Sequence, residues 1–418
     1  MPYSTRWLLT PALLSISCAE NSTGSDDIPD ASHDERPRDG GAQLPDVASP
    51  PAPTSCTEQT DCRDDEYCGA DGICVARCDD GGVCMVHVGE RYVWSLVAEG
   101  PTLYASFAPS QDRFGNSVSD AELYTAVGEG PLTLLARDPI AYQGLELVGE
   151  YLYWRAAPDV TKPQTLVLRR MPKAGGGVPE TIYPEVHADA FLLGKDGSLA
   201  VRKPDGLYVG SSDGKTELRK VVDAAECAAP GAGGTWGCGP HAVSHDRLYY
   251  ESESAFQLIS LDLRTLERRE HGHGTDYVGF VDLSPPYLYV PVGSPFYGVA
   301  RRDLSDPMRP EFIVYRGTSS FSLSKLLYRG AWLYVLGSER TSANYNIPIV
   351  VLERSATLGP AQLQTIMPTT FRGRPSETWG VDNLAVSDTH AFFSMWQNSV
   401  QRDGGLVMIY RVPLPAAP

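Results

Sequence analysis

An all-β fold built from repeated units of four short strands is predicted by three observations. A strand of aromatic and aliphatic residues recurs every 40 to 59 residues after residue 85, each time behind a turn rich in Gly or Asp. The 334 residues of 85–418 divide into seven such units of about 48 residues. No sustained helical period of 3.6 residues interrupts them. This pattern is typical of a β-propeller of seven four-stranded blades, with six or eight blades left open.

One strand in each unit anchors the repeat. In each unit this strand contains Leu-Tyr or a related pair of residues. The anchor residues of the seven strands are Tyr104, Tyr153, Leu199, Tyr249, Tyr289, Tyr334 and Phe393. We expect a short strand before it, such as 145–148, a further strand after it, such as 166–171, and a charged outer strand, such as 217–222. Large residues of the anchor strand, such as Trp154 and Tyr250, are predicted to pack between blades.

The last unit predicts how the ring closes. The chain ends soon after the third strand of this unit, 406–413, so the seventh blade lacks its outermost strand. The apolar segment 85–88 has no partner within its own unit. We expect this segment to supply the missing strand, because the pairing joins the two ends of the ring and covers a sheet edge.

Residues 1–17 have the features of a signal peptide. Arg6 supplies a positive charge, residues 7–16 form an apolar stretch, and residues 15–17 are a region of mostly small side chains. Cys18 follows directly, and this arrangement resembles the bacterial lipobox, in which the cysteine is acylated and becomes the mature N-terminus. The resemblance implies that Cys18 carries a lipid anchor. A plain secretory signal cut before Cys18 is the alternative.

The next segment, 18–55, is predicted to be a disordered tether. Residues 19–55 hold six Pro and eight acidic residues and hardly any large apolar side chain. Such a stretch cannot bury enough surface to offset its ordering entropy. At a random-coil scaling of about 5–6 Å × √n, it would place the next module roughly 30–35 Å from Cys18.

The nine cysteines indicate an oxidising compartment outside the cytoplasm. Six of them form a predicted disulfide-rich module over 56–84, which resembles short Cys-rich repeats of secreted proteins; they are Cys56, Cys62, Cys68, Cys74, Cys78 and Cys84. Fifteen pairings are open. A zinc site is the alternative, although no Cys-x2-Cys knuckle occurs. Cys227 and Cys238 are predicted to pair with each other, which leaves Cys18 for the lipid.

Charge and hydropathy exclude two classes of partner. The net charge is −17, and residues 19–84 alone hold sixteen acidic residues against four Arg. This balance repels nucleic acid, and no basic stripe is present to neutralise phosphates. No apolar run reaches the roughly 18 residues of a spanning helix. The sequence therefore predicts membrane contact through a lipid anchor only.

Two short segments follow repeated strands in a shared pattern, Arg-x-Pro before a turn. They are Arg170-Met171-Pro172 and Arg411-Val412-Pro413. In this feature residues 85–418 resemble exported bacterial propellers, including TolB-like and related lipoprotein propellers. The resemblance implies a propeller fold in the cell envelope. It implies no particular activity, because propellers host hydrolases, lyases and binding modules alike.

Two histidine pairs are the candidates for metal ligands: His241 with His245, and His271 with His273. Imidazole nitrogens can hold zinc or copper. We interpret both pairs as turn residues instead. Residues 271–273 are expected in a turn between blades, and residues 241 and 245 share neither a strand face nor a helix turn. No metal and no cofactor is predicted.

No sequence motif of a known catalytic site is present, so no catalytic residue is predicted. Acids at predicted strand ends could serve as acid and base of a hydrolase, but we interpret them as turn residues. They are Asp138, Asp246, Asp282, Asp382 and Asp388. Three tryptophans in less regular segments are candidates for an exposed binding rim: Trp236, Trp379 and Trp396.

The sequence thus favours a cell-envelope lipoprotein whose propeller is a non-catalytic platform for a protein or a glycan. We expect it at the outer membrane, since Ala19 and not Asp follows Cys18. A polysaccharide hydrolase or lyase with acids at the channel mouth is one alternative. A scaffold subunit for envelope assembly is the other.

Overall fold

The computed structural model describes residues 66–68, 74–76, 78, 82–89, 91–108, 121–128, 130–138, 143–156, 166–184, 190–227, 239–252, 257–273, 282–284, 287–292, 298–305, 312–316, 321–329, 332–340, 348–356, 363–366, 378–398 and 406–415. The chain divides into two units, Met1–Ala52 and Pro53–Pro418, and every described residue belongs to the second. The predicted signal peptide, Cys18 and the tether therefore lie outside the described residues. No helix within the described residues is long and apolar enough to cross a bilayer.

Seven four-stranded sheets form blades 1 to 7. Blades 1 to 3 comprise β4 to β15: Val93–Glu99, Thr102–Phe107, Ala121–Val127, Thr133–Asp138; Gln143–Val148, Tyr151–Ala156, Val167–Pro172, Glu180–Tyr183; Ala190–Leu193, Ser198–Lys203, Gly206–Ser211, Arg219–Asp223. Blades 4 to 6 comprise β16 to β27: Gly239–Val243, Arg247–Ser252, Gln257–Asp262, Arg268–His273; Asp282–Ser284, Tyr287–Val292, Gly298–Asp303, Phe312–Arg316; Phe321–Arg329, Trp332–Arg340, Pro348–Ala356, Leu363–Thr365. Blade 7 comprises β28 to β30 and β3: Thr378–Val386, His390–Asn398, Leu406–Pro413 and Cys84–Gly89. The remaining elements are β1, β2 and α1: Glu66–Cys68, Cys74–Ala76 and Ala224–Cys227.

The blades form a ring around their first strands. Within each blade the strands stand side by side and neighbours are antiparallel. Because four strands return the chain to the end where it started, the first strands of all blades run in the same direction. First strands of successive blades lie next to each other, as in blades 1 and 2 and, across the closure, in blades 7 and 1. The predicted seven-bladed propeller is confirmed.

The closing strand is the one that the sequence predicted. β3 pairs with β30, with Met85 opposite Tyr410, and completes blade 7. The propeller starts one residue earlier than expected, because Cys84 opens this strand and forms a disulfide with Cys78. The disulfide excludes both cysteines as zinc ligands. The last cysteine of the predicted module is thus part of the ring.

The other cysteines of the module are described only in part. Cys68 and Cys74 are opposite each other in the hairpin of β1 and β2. Cys56 and Cys62 lie outside the described residues, and the pairing of these four stays a prediction.

Seven clusters of buried side chains fill the spaces between neighbouring blades. Successive side chains of a strand point to opposite faces, so each second strand serves two clusters. In β17, Leu248 and Tyr250 pack against blade 3, whereas Tyr249 packs against blade 5. Trp154, fully buried, packs between blades 1 and 2. The anchor strand is therefore apolar on both faces because each blade is covered on both sides.

The Arg-x-Pro segments tie neighbouring blades together. Arg170 Nη1 donates to the backbone carbonyl of Ser212 at 3.2 Å, in the turn between the third and fourth strands of blade 3. Arg411, at the same position of blade 7, donates to the carbonyl of Gly128 in the corresponding turn of blade 1. A hydrogen bond from a charged donor contributes about 1.5–3 kcal/mol. The motif thus has a structural role in joining successive blades.

Candidate functional site

The two ends of the ring carry connections of different length. Turns from the first to the second strand of each blade hold two to four residues, and we call their side the turn end. Connections from one blade to the next, from a fourth strand to a first, hold between three and fifteen residues. They lie on the opposite side, which we call the loop end. Since long connections offer variable surface, the loop end is where a binding site is expected.

An arginine crosses the turn end of the ring. Arg329 ends the first strand of blade 6, and its Nη1 donates to the carbonyl of Val386 in blade 7 and to that of Ala98 in blade 1, the latter at 3.2 Å. Its Nη2 donates to Asp388 Oδ1 at 3.1 Å. One side chain thereby occupies carbonyls at or next to the ends of two innermost strands.

Three acidic side chains at the turn end have basic partners. The pairs are Glu99 Oε2 with Lys173 Nζ at 2.7 Å, Asp246 Oδ1 with Arg264 Nη2 at 2.6 Å, and Asp388 Oδ1 with Arg329 Nη2 at 3.1 Å. Asp246 and Asp388 are turn residues, as the sequence predicted. These carboxylates are neutralised within the protein and leave little charge for a ligand.

Bulges interrupt the innermost strands toward the loop end. In five blades the register against the second strand shifts, which re-aims the side chains of the extra residues. The residues at the shifts are Trp94, Gly144 with Leu145, His241, Ser324, and Asp382 with Asn383. β-Bulges are common beside functional sites. No periodicity in the sequence indicates them.

The bulge of blade 7 places a carboxylate at the loop-end mouth of the channel. Asn383 Nδ2 donates to the carbonyl of Val93 in blade 1 at 2.8 Å and to Ser394 Oγ at 3.2 Å, which fixes the bulge across the closure. Asp382, half-buried beside it, accepts a hydrogen bond from the hydroxyl of Tyr92. Burial raises the pKa of the Asp382 carboxyl. Within the described part of the chain, Asp382 forms no ion pair with a basic side chain.

A buried ionic network holds the segment that carries Tyr92. Glu122 is 7% exposed, and its carboxylate has three partners. It forms ion pairs with Arg91 Nη1 at 2.6 Å and Arg137 Nε at 3.0 Å, and it accepts a hydrogen bond from the Tyr124 hydroxyl at 2.7 Å. The pKa of Tyr124 is raised, mainly by burial and secondly by the hydrogen bond to Glu122. Arg91 precedes Tyr92 directly, so the network fixes the backbone from which Tyr92 extends. Tyr92 itself is 42% exposed.

A second carboxylate lies on the innermost strand of blade 2. Glu146 follows the bulge, and although its side chain keeps some contact with water, burial raises its pKa to about 7. The Arg155 guanidinium and the Leu193 N–H, from blade 3, oppose that shift. Gly144, at φ +63°, is required here, because a Cβ would lie 2.8 Å from Arg155 Nη2. Glu146 and Arg155, both of blade 2, thus interact electrostatically.

His241 and His245 do not meet. His241 Nε2 lies 3.2 Å from Glu251 Oε2 toward the loop end. His245 lies beyond the other end of the same strand, in the turn, where its backbone N–H donates to Asp196 at 2.8 Å. A strand of this length separates the two imidazoles by more than ligation of one metal permits.

The second histidine pair corrects one expectation. His271 and His273 belong to β19, the outermost strand of blade 4, so the predicted turn between blades is wrong there. His271 is buried, its Nε2 lies 2.8 Å from Ser260 Oγ, and burial lowers its pKa. Over the described ranges, no group of three or more potential metal ligands occurs.

Of the three tryptophans predicted to form a binding rim, Trp396 is the one whose side chain the structure describes. Trp396 is half-buried, packs against the cluster between blades 7 and 1, and covers Gly380, where an added Cβ would lie 2.2 Å from the indole. Trp379 lies next to Gly380 in β28, but its side chain is outside the described residues. Trp236 is outside them altogether, as are Cys238 and the side chain of Cys227. Their roles stay predictions.

Sequence reasoning misses most of the site. It does not single out Tyr92, Glu146 or Arg155, and it interprets Asp382 as a turn residue, whereas Asp382 lies within β28. One signal is available: Glu146 and Asp382 each interrupt an apolar strand pattern. Asp282 also begins an innermost strand, and Asp138 ends β7; the side chains of both are outside the described residues.

The chain is similar to several solved structures at low sequence identity. A prolyl endopeptidase is 13% identical with a TM-score of 0.48, over 79% of this chain and 51% of that protein. YCF48 bound to a D1 peptide is 11% identical with a TM-score of 0.47, over 80% and 96%. A streptogramin B lyase is 10% identical with a TM-score of 0.44, over 79% and 98%. This chain thus spans about half the length of the endopeptidase.

No protein-family model matches the sequence, and no curated protein matches it. The structural neighbours include peptidases, a lyase and a peptide-bound protein, and their low identity limits the likeness to the fold. The seven four-stranded sheets establish the β-propeller.

Proposed function

We propose that this protein is a cell-envelope lipoprotein whose propeller is a non-catalytic platform that holds a partner molecule at its loop end. One observation carries the proposal: the two ends of the ring differ in chemistry. At the turn end, the turns from first to second strands are short, Arg329 occupies strand carbonyls, and the acids named above are paired. At the loop end, the connections between blades reach fifteen residues, and Tyr92 and Asp382 lie at the channel mouth.

Placing a photoreactive side chain at either end tests the platform. Pro184 and Val178 are both exposed residues of blade 2, the first at the loop end and the second in a turn at the other end. We expect benzophenone-alanine at 184 to give specific adducts in the native envelope, and the same group at 178 to give none. Equal adducts from both positions would remove the case for an end-specific platform.

Anchoring is tested on the intact chain. We expect the native protein to carry an added acyl mass at Cys18 and to partition into the detergent phase. A Cys18→Ser variant is expected in the aqueous phase without that mass. An unmodified, released native protein would contradict the lipoprotein assignment and favour a secreted enzyme.

A polysaccharide hydrolase or lyase is the second candidate, favoured by Glu146. A carboxyl with a pKa of about 7 has the proton affinity that a general acid needs near neutral pH. Against this role, Arg155 and the Leu193 N–H already bind the carboxylate between two blades. A depolymerisation screen with Glu146→Gln as control would decide between the two candidates.

A further inference from the structure

We infer that the loop-end mouth of the channel binds a cationic side chain of a protein partner, an arginine or a lysine, between the Asp382 carboxylate and the Tyr92 ring. This inference rests on the proposed function, because it names the chemical group that the platform takes.

The first argument is the charge left at this mouth. Asp382 is half-buried on an innermost strand and its hydrogen bond comes from a neutral hydroxyl, that of Tyr92. Asp388, at the other end of the same strand, is bound by Arg329. Among the described residues Asp382 has no cationic partner, and a half-buried carboxylate of this kind is stabilised by a cation that arrives with a ligand.

The second argument is the exposed aromatic ring beside that carboxylate. Tyr92 is among the few large apolar side chains that the described chain leaves exposed, at 42%. Its backbone is fixed through Arg91 and Glu122, so the ring is presented in a constrained position. Cations bind over the faces of such rings, arginine more often than lysine.

The third argument is that the protein uses this combination internally. The Arg170 guanidinium carbon lies 4.5 Å from the centroid of the Tyr151 ring, and its Nε is paired with Glu180. A tyrosine ring together with a carboxylate thus already holds an arginine in blade 2. Tyr92 and Asp382 offer the same two groups at the mouth of the channel.

The net charge acts in the same direction over a longer range. Residues 85–418 hold 36 acidic against 30 basic side chains, a net charge of −6, so the propeller attracts basic partners and repels acidic ones before contact. This field raises the rate of encounter, and the mouth supplies the specific contact.

Two seven-residue peptides that differ in one side chain test the inference. One carries a central arginine and the other citrulline, its neutral isostere, and dissociation constants are measured by calorimetry with the full chain. We expect the arginine peptide to bind about tenfold more tightly, the effect of a single well-placed charge. Asp382→Asn should abolish this preference, and Tyr92→Ala should weaken it while Tyr92→Phe largely retains it.

Asp388→Asn is the matched control, because it removes the same charge from the same blade where Arg329 already neutralises it. Its preference for arginine should equal that of the wild type. The inference is overturned if the wild type binds both peptides equally or neither, or if Asp382→Asn keeps the preference. Adducts confined to position 184 would in that case still support the platform, so the two failures are distinguishable.

Discussion

Removing residues 1–90 is expected to unfold the propeller, whereas removing residues 1–77 leaves it folded. The longer deletion takes away Val83 and β3. Val83 and Met85 are buried against blades 6 and 7, Cys84 is buried as well, and β3 pairs with β30. Burial of each large apolar side chain contributes about 1.5–3 kcal/mol, and each ladder hydrogen bond about 1 kcal/mol. The loss is roughly 5–10 kcal/mol, comparable with the whole stability of a domain.

A circular permutant is the control for this deletion. A Cβ built on Gly82 would lie 3.3 Å from Pro413, so the start of β3 is adjacent to the end of β30. Joining residues 78–90 after residue 418 therefore turns the closing strand into an ordinary hairpin strand. We expect the permutant to recover the midpoint of the 1–77 deletion in thermal unfolding. Equal midpoints for the two deletions would show that β3 does not close the ring.

The pH dependence of stability is expected to hide two opposite contributions of about 3 kcal/mol each. Burial against Phe107 lowers the pKa of His87 to about 4, from 6.5 when unfolded. Below pH 6.5 His87 is protonated in the unfolded chain but stays neutral in the folded chain. Acidification therefore destabilises the protein down to about pH 4. A difference of one pKa unit corresponds to about 1.4 kcal/mol.

Glu146 acts in the opposite direction. Its pKa is about 7 in the folded chain and 4.5 when unfolded, so between these values the folded chain holds a proton that the unfolded chain has lost. Its contribution to stability therefore grows as the pH falls from 7 to 4.5. Between pH 6.5 and 4.5 the two contributions offset each other. What remains comes from other groups: burial lowers the pKa of His271 and raises that of Asp382, so these two act in opposite directions.

Single variants separate the two contributions in urea unfolding at pH 6.5, 5.5 and 4.5. Glu146→Gln should lose about 2 kcal/mol of stability as the pH falls across this range, since His87 then acts alone, and His87→Gln should gain about 2 kcal/mol. The double variant should follow the shallow wild-type profile. The slopes are compared and not the absolute stabilities, which each substitution also changes. A Glu146→Gln profile parallel to the wild type would contradict the assignment.

The ring could be predicted because its signals are local. Each anchor residue lies in the second strand of a blade, including Leu199 in the least aromatic unit, because every second strand must be apolar on both faces. The closing strand could be predicted by counting strands. Blade 7 was one strand short, and the apolar segment 85–88 belonged to no other blade.

The site could not be predicted because it depends on contacts between distant segments. Tyr92 and Asp382 are 290 residues apart in sequence and meet only across the closure of the ring. The bulge that aims Asp382 arises from the register of β28 against β29, which no residue pattern specifies. The glycine beside His271 predicts a turn, whereas burial of the imidazole on Ser260 places it in a strand.

The closure across blade 7 also determines when the protein can finish folding. β3 is the first propeller strand to be synthesised, and its partner β30 is the last, more than 300 residues later. Each cluster between blades needs both neighbours, so the early blades leave a sheet face uncovered throughout elongation. Long-range pairing of this kind makes folding slow and the incomplete chain prone to aggregation. The growing chain thus needs protection from aggregation until β30 has left the ribosome.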